Sequence, residues 1–442
     1  MAVTASPTEL PRVAAPDAHR AGERNGHVAK APTGEFSSRA AAEAYVGKVC
    51  FKQGPPQLIG AELEWLTAQG ERSVSAPRPD LTELASALGP YAPRSISPDS
   101  PAVALPGGSR VTIEPGGQIE LSSAPFGAAA ELCENLRTDA IRLRELLESR
   151  AIRTFSAAAD VSRPAQRLLQ LPRYSAMERS FAGIGPFGTL MMCNTAATQV
   201  SVDAGADAAE IAARWTALYA IGPALLAAFA CSPGLHGAPP GAWASQRMRT
   251  WLRLDHLRTR PPVHDWSDPI TGYARWALEV PLLCVRGDGA DWTAPPGATF
   301  ADWLCGALDD EIPRRPDHTD LDYHLTTVFP PVRAAGHLEV RYLDAQPGEA
   351  WTVPVHAVDA LMSTPAVVAE ATALAAETAG RWSEAACRGL ADPEIRAAAV
   401  ALLELAAAHA VTPDAAAELA AAAERCRRGS APPDDGEPGG RG

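Results

Sequence analysis

The chain has 442 residues, 46% of them hydrophobic, so it is long enough to bury one large core or to form two domains. Its formal net charge is −13 at pH 7, which argues against nucleic acid as the main partner because phosphate binding needs a basic surface. An anionic substrate would require a local cluster of arginines to overcome this negative field.

The cysteines and the apolar runs predict a cytoplasmic protein. Eight cysteines are scattered without a Cys-x-x-Cys pair, which favours reduced and mostly buried thiols over a disulfide framework. The N-terminus has no run that resembles a signal peptide, and the most apolar stretch, 218–230, is too short to span a bilayer. We expect no membrane association and a monomer or weak homodimer.

Composition predicts one folded domain between two tails. Residues 1–36 are rich in Ala, Pro, Gly and charge, and such a segment buries too little apolar surface to order itself. The folded domain is expected over 37–428, where Ser37 would cap a helix that runs from Ser38 towards Cys50. A second disordered tail, 429–442, is rich in Gly, Pro and Asp.

The stretch from Gln57 to Thr67 alternates in the way of a half-buried β-strand. Residues two apart on a strand share a face, so Glu62 and Glu64 point to one side. Leu63 and Trp65 point to the other. Neighbouring like charges are costly unless a cation lies between them, and oxygen ligands suit Mg²⁺ or Mn²⁺. The alternative is a solvent-facing strand with two acidic residues.

A β-hairpin is predicted over 107–123, because two alternating runs flank the turn Pro115-Gly116-Gly117. Glu114 ends the first strand. Glu120 lies in the second strand and faces away from its apolar neighbours. Four carboxylates therefore lie at the faces or ends of neighbouring strand signals, although an ordinary hairpin with exposed carboxylates has the same pattern.

The rest of the chain mixes helices and strands without regular βαβ units, which predicts an α+β fold. Helical patterns cover 81–88, 128–150, 207–230 (with an interruption near Gly222-Pro223) and the Ala-rich 358–428. Strands are predicted at 195–203, which carries Gln199, and at 337–344, where Glu339 and Arg341 share a face.

Positive charge is densest in Ser245–Arg253, for which a solvated helix face is the alternative interpretation. Carboxylates on several strands together with arginine suit phosphoryl transfer, because metal ions bridge nucleotide phosphates and arginine neutralises the moving phosphoryl group. The candidate reaction is phosphoryl transfer to a carboxylate, followed by attack of an amine. A Gly-x-Gly-x-x-Gly match at 183–188 lacks a preceding strand and is discounted.

An ordered set of motifs resembles the glutamate–cysteine ligases of the plant and proteobacterial type, which also occur in actinobacteria. The matching pieces are Gly60-Ala-Glu-Leu-Glu64, 114–125 (EPGGQIELSSAP), Arg173-Tyr-Ser-Ala-Met177, Gly188-Thr-Leu-Met-Met192, 198–203 (TQVSVD), 323–333 (YHLTTVFPPVR) and Leu338-Glu-Val-Arg341. They lie in the family's order from about 37 to about 362. The nearest resemblance is to the actinobacterial branch that supplies γ-glutamylcysteine for ergothioneine synthesis.

The resemblance implies a glutamine-synthetase-like fold, in which an antiparallel sheet packed with helices cups the active site of a catalytic domain. It implies ATP, Mg²⁺ (or Mn²⁺), glutamate and cysteine as the small molecules bound. The metal–nucleotide site would be lined by Glu62, Glu64, Glu114, Glu120, Gln199 and Glu339. Arg341 would contact the transferring phosphate, so Glu339 and Arg341 are the catalytic candidates.

For the glutamate substrate, the resemblance implies Arg247. Plant-type enzymes carry a second substrate arginine where this chain has Asn194, so Arg249, Arg253 and Arg179 are alternative ligands for the α-carboxylate. A ligase that acts on another amine and a catalytically inactive nucleotide-binding regulator are the alternative functions.

Overall fold

A seven-stranded antiparallel sheet lies at the centre of the protein, which a computed structural model describes over residues 34–54, 57–70, 75–262 and 267–433. Its strand order is β2-β3-β1-β5-β7-β6, and β4 pairs with the far end of β1. Strands β1 to β7 span Ile59–Gln69, Arg110–Ile113, Ile119–Ser122, Ile152–Phe155, Ala197–Val202, Val332–Ala334 and Leu338–Asp344. The α+β class and the antiparallel sheet predicted from the sequence are confirmed.

Strand β1 fixes the arrangement of the acidic residues because it pairs with both β3 and β5. Its apolar Leu63 and Trp65 are buried. The register sets Glu64 opposite Glu120 on β3 and Glu62 opposite Gln199 on β5. The carboxylates of β1 therefore lie beside Glu120 and Gln199 on three adjacent strands, β3, β1 and β5.

Helices surround the sheet. In the described part of the chain, α1 to α16 span Arg39–Cys50, Leu81–Leu88, Ala129–Glu148, Pro172–Ala182, Phe187–Asn194, Ala208–Phe229, Gln246–Arg253, His256–Thr259, Pro269–Glu279, Phe300–Cys305, His318–Leu325, Thr352–Leu361, Pro365–Ala375, Trp382–Arg388, Pro393–Ala408 and Pro413–Arg427. Helices α3, α6 and α12 pack on β1, β7 and β5. This layer buries the apolar side of the sheet and leaves the carboxylate side to a cleft.

Helix α6 is the central helix of the core. Gly222 and Pro223 do not interrupt it, contrary to the sequence prediction. Gly222 instead lets Trp382 approach the backbone, since a Cβ there would lie 2.1 Å from the indole ring. In the described residues, α6 is the only single helix long and apolar enough to cross a membrane, but 83% of its apolar window is buried inside the protein.

Two further predictions are corrected at local scale. Ser38, and not Ser37, caps α1, because its side chain accepts a hydrogen bond from the Ala41 amide. The segment 172–194 contains helices α4 and α5, which the sequence analysis did not predict. Pro172 at the first turn of α4 supplies the fixed φ that favours this position.

The predicted tails lie largely outside the described residues. The last residues of the first tail contact the folded body: the Gly34 carbonyl lies 2.8 Å from Nδ1 of His318, and Phe36 packs on the Tyr45 and His318 rings. Gly34 and Phe36, which were predicted to belong to the tail, therefore contact the folded body. All eight cysteines are free thiols, as predicted, and five of them are buried.

Candidate active site

The polar face of the sheet and helices α4, α5 and α7 line a cleft with about 890 Å³ of space, part of which is open to solvent. Its lining combines carboxylates from β1 and the β2–β3 hairpin, arginines from four elements, and an apolar wall. The lining residues are Glu62, Glu64, Glu114, Pro115, Gln118, Glu120, Arg173, Tyr174, Met177, Met191, Met192, Thr195, Gln199, Arg247, Trp251, Thr326, Phe329, Arg333 and Arg341.

Four carboxylates, Glu62, Glu64, Glu114 and Glu120, form the floor of this cleft. Glu64 accepts hydrogen bonds from the Ala197 amide at 2.9 Å and from Nε2 of Gln199 at 3.1 Å. Hydroxyl groups from β2 and β3 contact Glu120 and Glu62. Thr112 and Ser122 donate to Glu120 at 2.5 and 3.1 Å, and Ser122 donates to Glu62 at 3.3 Å.

Crowding disfavours full ionisation of this floor. Burial, followed by the charge of Glu114, raises the pKa of Glu64 to about 8. Burial and the neighbouring carboxylates raise the pKa of Glu120 well above its usual range. Burial also raises the pKa of Glu114, although Arg341 opposes the shift. A bound cation would reverse these shifts, because it stabilises the ionised forms.

The donor set suits a hard divalent cation by chemistry, because it consists of carboxylate and amide oxygens. Gln199 lines the cleft, and its Oε1 is buried without a hydrogen-bond partner. In the described ranges, however, no three His, Cys, Asp or Glu side chains converge as a finished metal site. The floor therefore fits Mg²⁺ as a set of ligands whose side chains must turn towards the ion.

Glu339 lies behind the cleft wall, between two arginines. Arg333 donates two hydrogen bonds to Oε2 of Glu339, at 3.0 and 2.7 Å, and Arg341 pairs with Oε1. Burial opposes ionisation, but the two guanidinium groups outweigh it and hold the pKa of Glu339 well below its usual range. The carboxylate that was predicted as a metal ligand thus faces two arginines. It orients the guanidinium groups of Arg333 and Arg341 at the cleft.

Arg247 lies on α7, which is buried and is not the solvated helix of the alternative interpretation. Its guanidinium donates to the Arg341 carbonyl at 2.7 Å, lies 5.3 Å from the ring centroid of Trp251 and lies 3.9 Å from Asp344. Asp344 is itself held by the hydroxyls of Ser232 and Ser245. The structure therefore places Arg247 in the lining of the cleft.

The other predicted substrate ligands lie outside the cleft lining. Arg249 donates to the carbonyls of Pro239 and Pro240, and Arg179 pairs with Asp291 at the surface. Arg253 is exposed. Asn194 is fully buried, where Arg78 donates to Oδ1 at 2.6 Å and Nδ2 donates to the Arg163 carbonyl.

Arg173, Tyr174 and Arg333 line the cleft, but the sequence analysis gave them no role. The sequence does indicate these residues, since Arg173-Tyr-Ser-Ala-Met177 and the segment that ends at Arg333 both belong to the motifs that resemble the ligase family. Their side-chain directions depend on α4 and on the pairing of β6 with β7, neither of which was predicted.

A carboxylate floor with arginine walls on an antiparallel sheet defines a class of site that binds anionic substrates together with cations. The profile of glutamate–cysteine ligase family 2 (GCS2) matches residues 58–435. The chain therefore belongs to this family, and the resemblance found in the sequence is confirmed.

Individual proteins that are similar to this chain are also glutamate–cysteine ligases. Glutamate–cysteine ligase EgtA of Mycolicibacterium smegmatis is 36% identical over 85% of this chain and 86% of its own length. EgtA of Mycobacterium tuberculosis is 35% identical, over 91% of this chain and 90% of the relative. A solved glutamate–cysteine ligase from Francisella tularensis, in complex with AMP, covers 87% of this chain and 84% of its own at a TM-score of 0.50. Because the sequences are 12% identical, this likeness supports the fold.

Proposed function

We propose that the protein joins the γ-carboxylate of L-glutamate to the amine of L-cysteine, with conversion of ATP to ADP and phosphate. The observation that carries this proposal is the convergence of four carboxylates, Arg247 and Arg341 in one cleft of a chain that belongs to the glutamate–cysteine ligase family. Identities of 36% and 35% to two EgtA ligases over most of the chain support the same substrates.

In the first step, an oxygen of the glutamate γ-carboxylate attacks the γ-phosphorus of ATP, which forms γ-glutamyl phosphate and releases ADP. Arg341 supports this step because Glu339 fixes its guanidinium at the cleft and its Nε is buried without a hydrogen-bond partner. A preorganised donor stabilises charge that develops on the phosphoryl oxygens. Arg333, held by the same carboxylate, offers a second cation.

In the second step, the amine of cysteine attacks the acyl carbon of the mixed anhydride, phosphate leaves, and the new amide loses one proton. The role of the chain is to position the two amino acids and to exclude water. Arg247, stacked on Trp251, would bind the α-carboxylate of glutamate by two parallel hydrogen bonds.

Bound Mg²⁺ would neutralise part of the negative charge of the nucleotide phosphates. The residues that would hold it, or Mn²⁺, are Glu62, Glu64, Glu114, Glu120 and Gln199. The unpartnered Oε1 of Gln199 and the raised pKa of Glu64 support this assignment.

We place the product in ergothioneine biosynthesis, which the likeness to EgtA supports. Free thiols throughout the described chain support the cytoplasmic location expected from the sequence. The oligomeric state, expected to be a monomer or weak homodimer, stays a prediction.

ADP release tests the function against its two alternatives. With ATP, Mg²⁺ and glutamate, we expect cysteine to drive multiple turnovers and other amino acids to be poor acceptors. Equal or faster turnover with a different amine would favour another γ-glutamyl ligase. Nucleotide binding without turnover for any amine would favour the inactive regulator.

A further inference from the structure

Arg173 lines the cleft from helix α4, and the two chemical steps above give it no role. On α4, Arg173, Tyr174 and Met177 all line the cleft. Arg173 and Met177 are four residues apart, so their side chains lie next to each other on one helix face. A charged group and an apolar group are thus presented together.

The guanidinium of Arg173 is held in place before any ligand binds. Its two terminal nitrogens donate to the side-chain oxygen and the carbonyl of Thr326, at 2.7 and 2.8 Å. It also lies 5.3 Å from the ring centroid of Tyr323. A planar guanidinium fixed by two hydrogen bonds and an aromatic face loses little freedom when it binds a further partner.

Arg173 differs from the other cleft arginines in its charge balance. Arg333 and Arg341 pair with Glu339, and Arg247 lies near Asp344. Within the described ranges, Arg173 has no carboxylate at ion-pair distance. The charge of Glu114 acts on it from beyond that distance. A half-buried guanidinium without a carboxylate in direct contact leaves room for an anion supplied by a bound molecule.

The surface next to Arg173 is a wall of three methionines: Met177 on α4, and Met191 and Met192 on α5. The two helices pack tightly, since a Cβ on Gly188 would lie 2.3 Å from Cβ of Phe181. Thioethers are polarisable and uncharged, and they contact other soft, uncharged groups favourably. The wall thus suits a small side chain such as a thiol and disfavours an ionised one.

We propose that Arg173 binds the carboxylate of the acceptor amino acid, while the methionine wall contacts its side chain. This assignment rests on the proposed ligase function and names the second amino-acid subsite. It gives each substrate carboxylate its own arginine, Arg247 for glutamate and Arg173 for the acceptor. ATP phosphates are the other available anion, but Arg333 and Arg341 already lie at the cleft with Glu339 between them.

The test compares cysteine with cysteamine, which has the same amine and thiol but no carboxylate. Wild type should prefer cysteine, and Arg173→Gln should lower kcat/KM for cysteine by about 10- to 100-fold, the loss expected for charged hydrogen bonds. The variant should keep kcat/KM for cysteamine within about threefold of the wild-type value. Cysteamine has no carboxylate, so Arg173 makes no such interaction with it in either enzyme. In the variant, the preference for cysteine over cysteamine should therefore disappear.

Arg179→Gln is the matched control, since Arg179 lies on the same helix but pairs with Asp291 at the surface. It should keep the wild-type preference. Arg173→Lys, which retains the charge but loses the planar fork, should retain part of the preference. If wild type itself does not prefer cysteine over cysteamine, the assignment is wrong whether or not the variants fold.

Other outcomes separate the subsite from the function. Equal losses for cysteine and cysteamine would assign Arg173 a structural role, and a selective rise in the KM for ATP would assign it to phosphate. Formation of glutamyl hydroxamate from glutamate, ATP and hydroxylamine reports the first step without an acceptor amino acid. If wild type forms no glutamyl hydroxamate, the proposed function is overturned. If wild type forms it and Arg173→Gln still prefers cysteine over cysteamine, only the subsite assignment is overturned.

The methionine wall adds a second readout in wild type. 2-Aminobutyrate replaces the thiol by a methyl group, and serine replaces it by a hydroxyl group. We expect kcat/KM to fall in the order cysteine, 2-aminobutyrate, serine, since the wall offers a hydroxyl group no hydrogen bond. A serine rate equal to that of 2-aminobutyrate would contradict contact between the wall and this side chain.

Discussion

Single side chains decide where charge resides in this cleft. Glu339 shows this best, because the same residue was predicted to hold a metal and is found between Arg333 and Arg341. A carboxylate that neutralises two arginines lowers their mutual repulsion and fixes both guanidinium groups. We propose that its effect on phosphoryl transfer acts through Arg341.

The first prediction separates these two roles of Glu339. Arg341→Ala should lower kcat and kcat/KM together by about a hundredfold or more, as for other preorganised donors. Glu339→Gln should give the same pattern with a smaller loss, because Arg341 remains but is no longer held. Excess Mg²⁺ should rescue neither variant.

Steady-state kinetics of both variants across a Mg²⁺ titration tests this prediction, and thermal melts serve as the folding control. Recovery of Glu339→Gln at high Mg²⁺ would restore the metal-ligand role expected from the sequence. Near-wild-type rates in both variants would remove the pair from the active site.

The second prediction concerns the carboxylate floor and its pH dependence. Glu64 has a pKa of about 8 in the folded protein against an ordinary value of 4.5, so the folded state binds more protons between these values. The stability that this proton contributes is complete below pH 4.5 and is lost as the pH rises through 8. The melting temperature of the metal-free protein should therefore fall from pH 6 to 8.5, and Mg²⁺ should raise it most at pH 8.5.

Glu64→Gln is the control for that experiment. It has no titrating group at this position, so its melting temperature should fall less steeply and respond less to Mg²⁺. Identical slopes for wild type and variant would show that Glu64 does not carry the effect.

At the scale of elements, the strands and the hairpin were predictable because their signals are local. Alternation defined β1, β5 and β7, and Pro115-Gly116-Gly117 defined the turn between β2 and β3. Helices α4 and α5 were missed because proline and glycine punctuate that segment and tertiary contacts stabilise it. The directions of Arg173 and Arg333, which depend on those elements, therefore required the structure.

The same limit explains the arginines of α7. Their density in the sequence matched both a substrate site and a solvated helix face. Packing decides between them: Arg247 turns towards the cleft, whereas Arg249 turns towards Trp243 and the Pro239 carbonyl. No pattern of charge along one helix contains this information, because the partners come from other parts of the chain.

The third prediction tests how the hairpin is docked. A Cβ on Gly116 would lie 2.3 Å from the carbonyl oxygen of Cys193 at the end of α5, so Gly116→Ala must move the hairpin or the helix. We expect a loss of about 1–3 kcal/mol in the free energy of unfolding, typical of overpacking, and a lower kcat because the hairpin carries Glu114 and Glu120.

Gly127→Ala is the matched control for the hairpin variant, since a Cβ there meets no atom within 4 Å. Chemical denaturation and turnover should be unchanged in this control. If Gly116→Ala behaves in the same way, the close contact between the hairpin and α5 is not needed.

At the scale of the whole molecule, the predicted N-terminal tail and the folded body meet at residues 34–36. Removal of residues 1–33 should leave the melting temperature and the turnover unchanged, because composition predicts disorder there. Removal of 1–36 should lower the melting temperature, because it deletes the Gly34 contact with His318 and the Phe36 ring contacts. Equal melting curves for the two truncations would show that these contacts add no stability, and a loss in the first would show that the tail docks on the body.

The measurement that tests the central claim most directly uses glutamate labelled with ¹⁸O in its γ-carboxylate, together with ATP, Mg²⁺ and cysteine. If the cleft phosphorylates that carboxylate, one labelled oxygen passes to phosphate in each turnover, and mass spectrometry detects γ-glutamylcysteine beside singly labelled phosphate. Unlabelled phosphate, or phosphate without a thiol-containing dipeptide, would contradict the account.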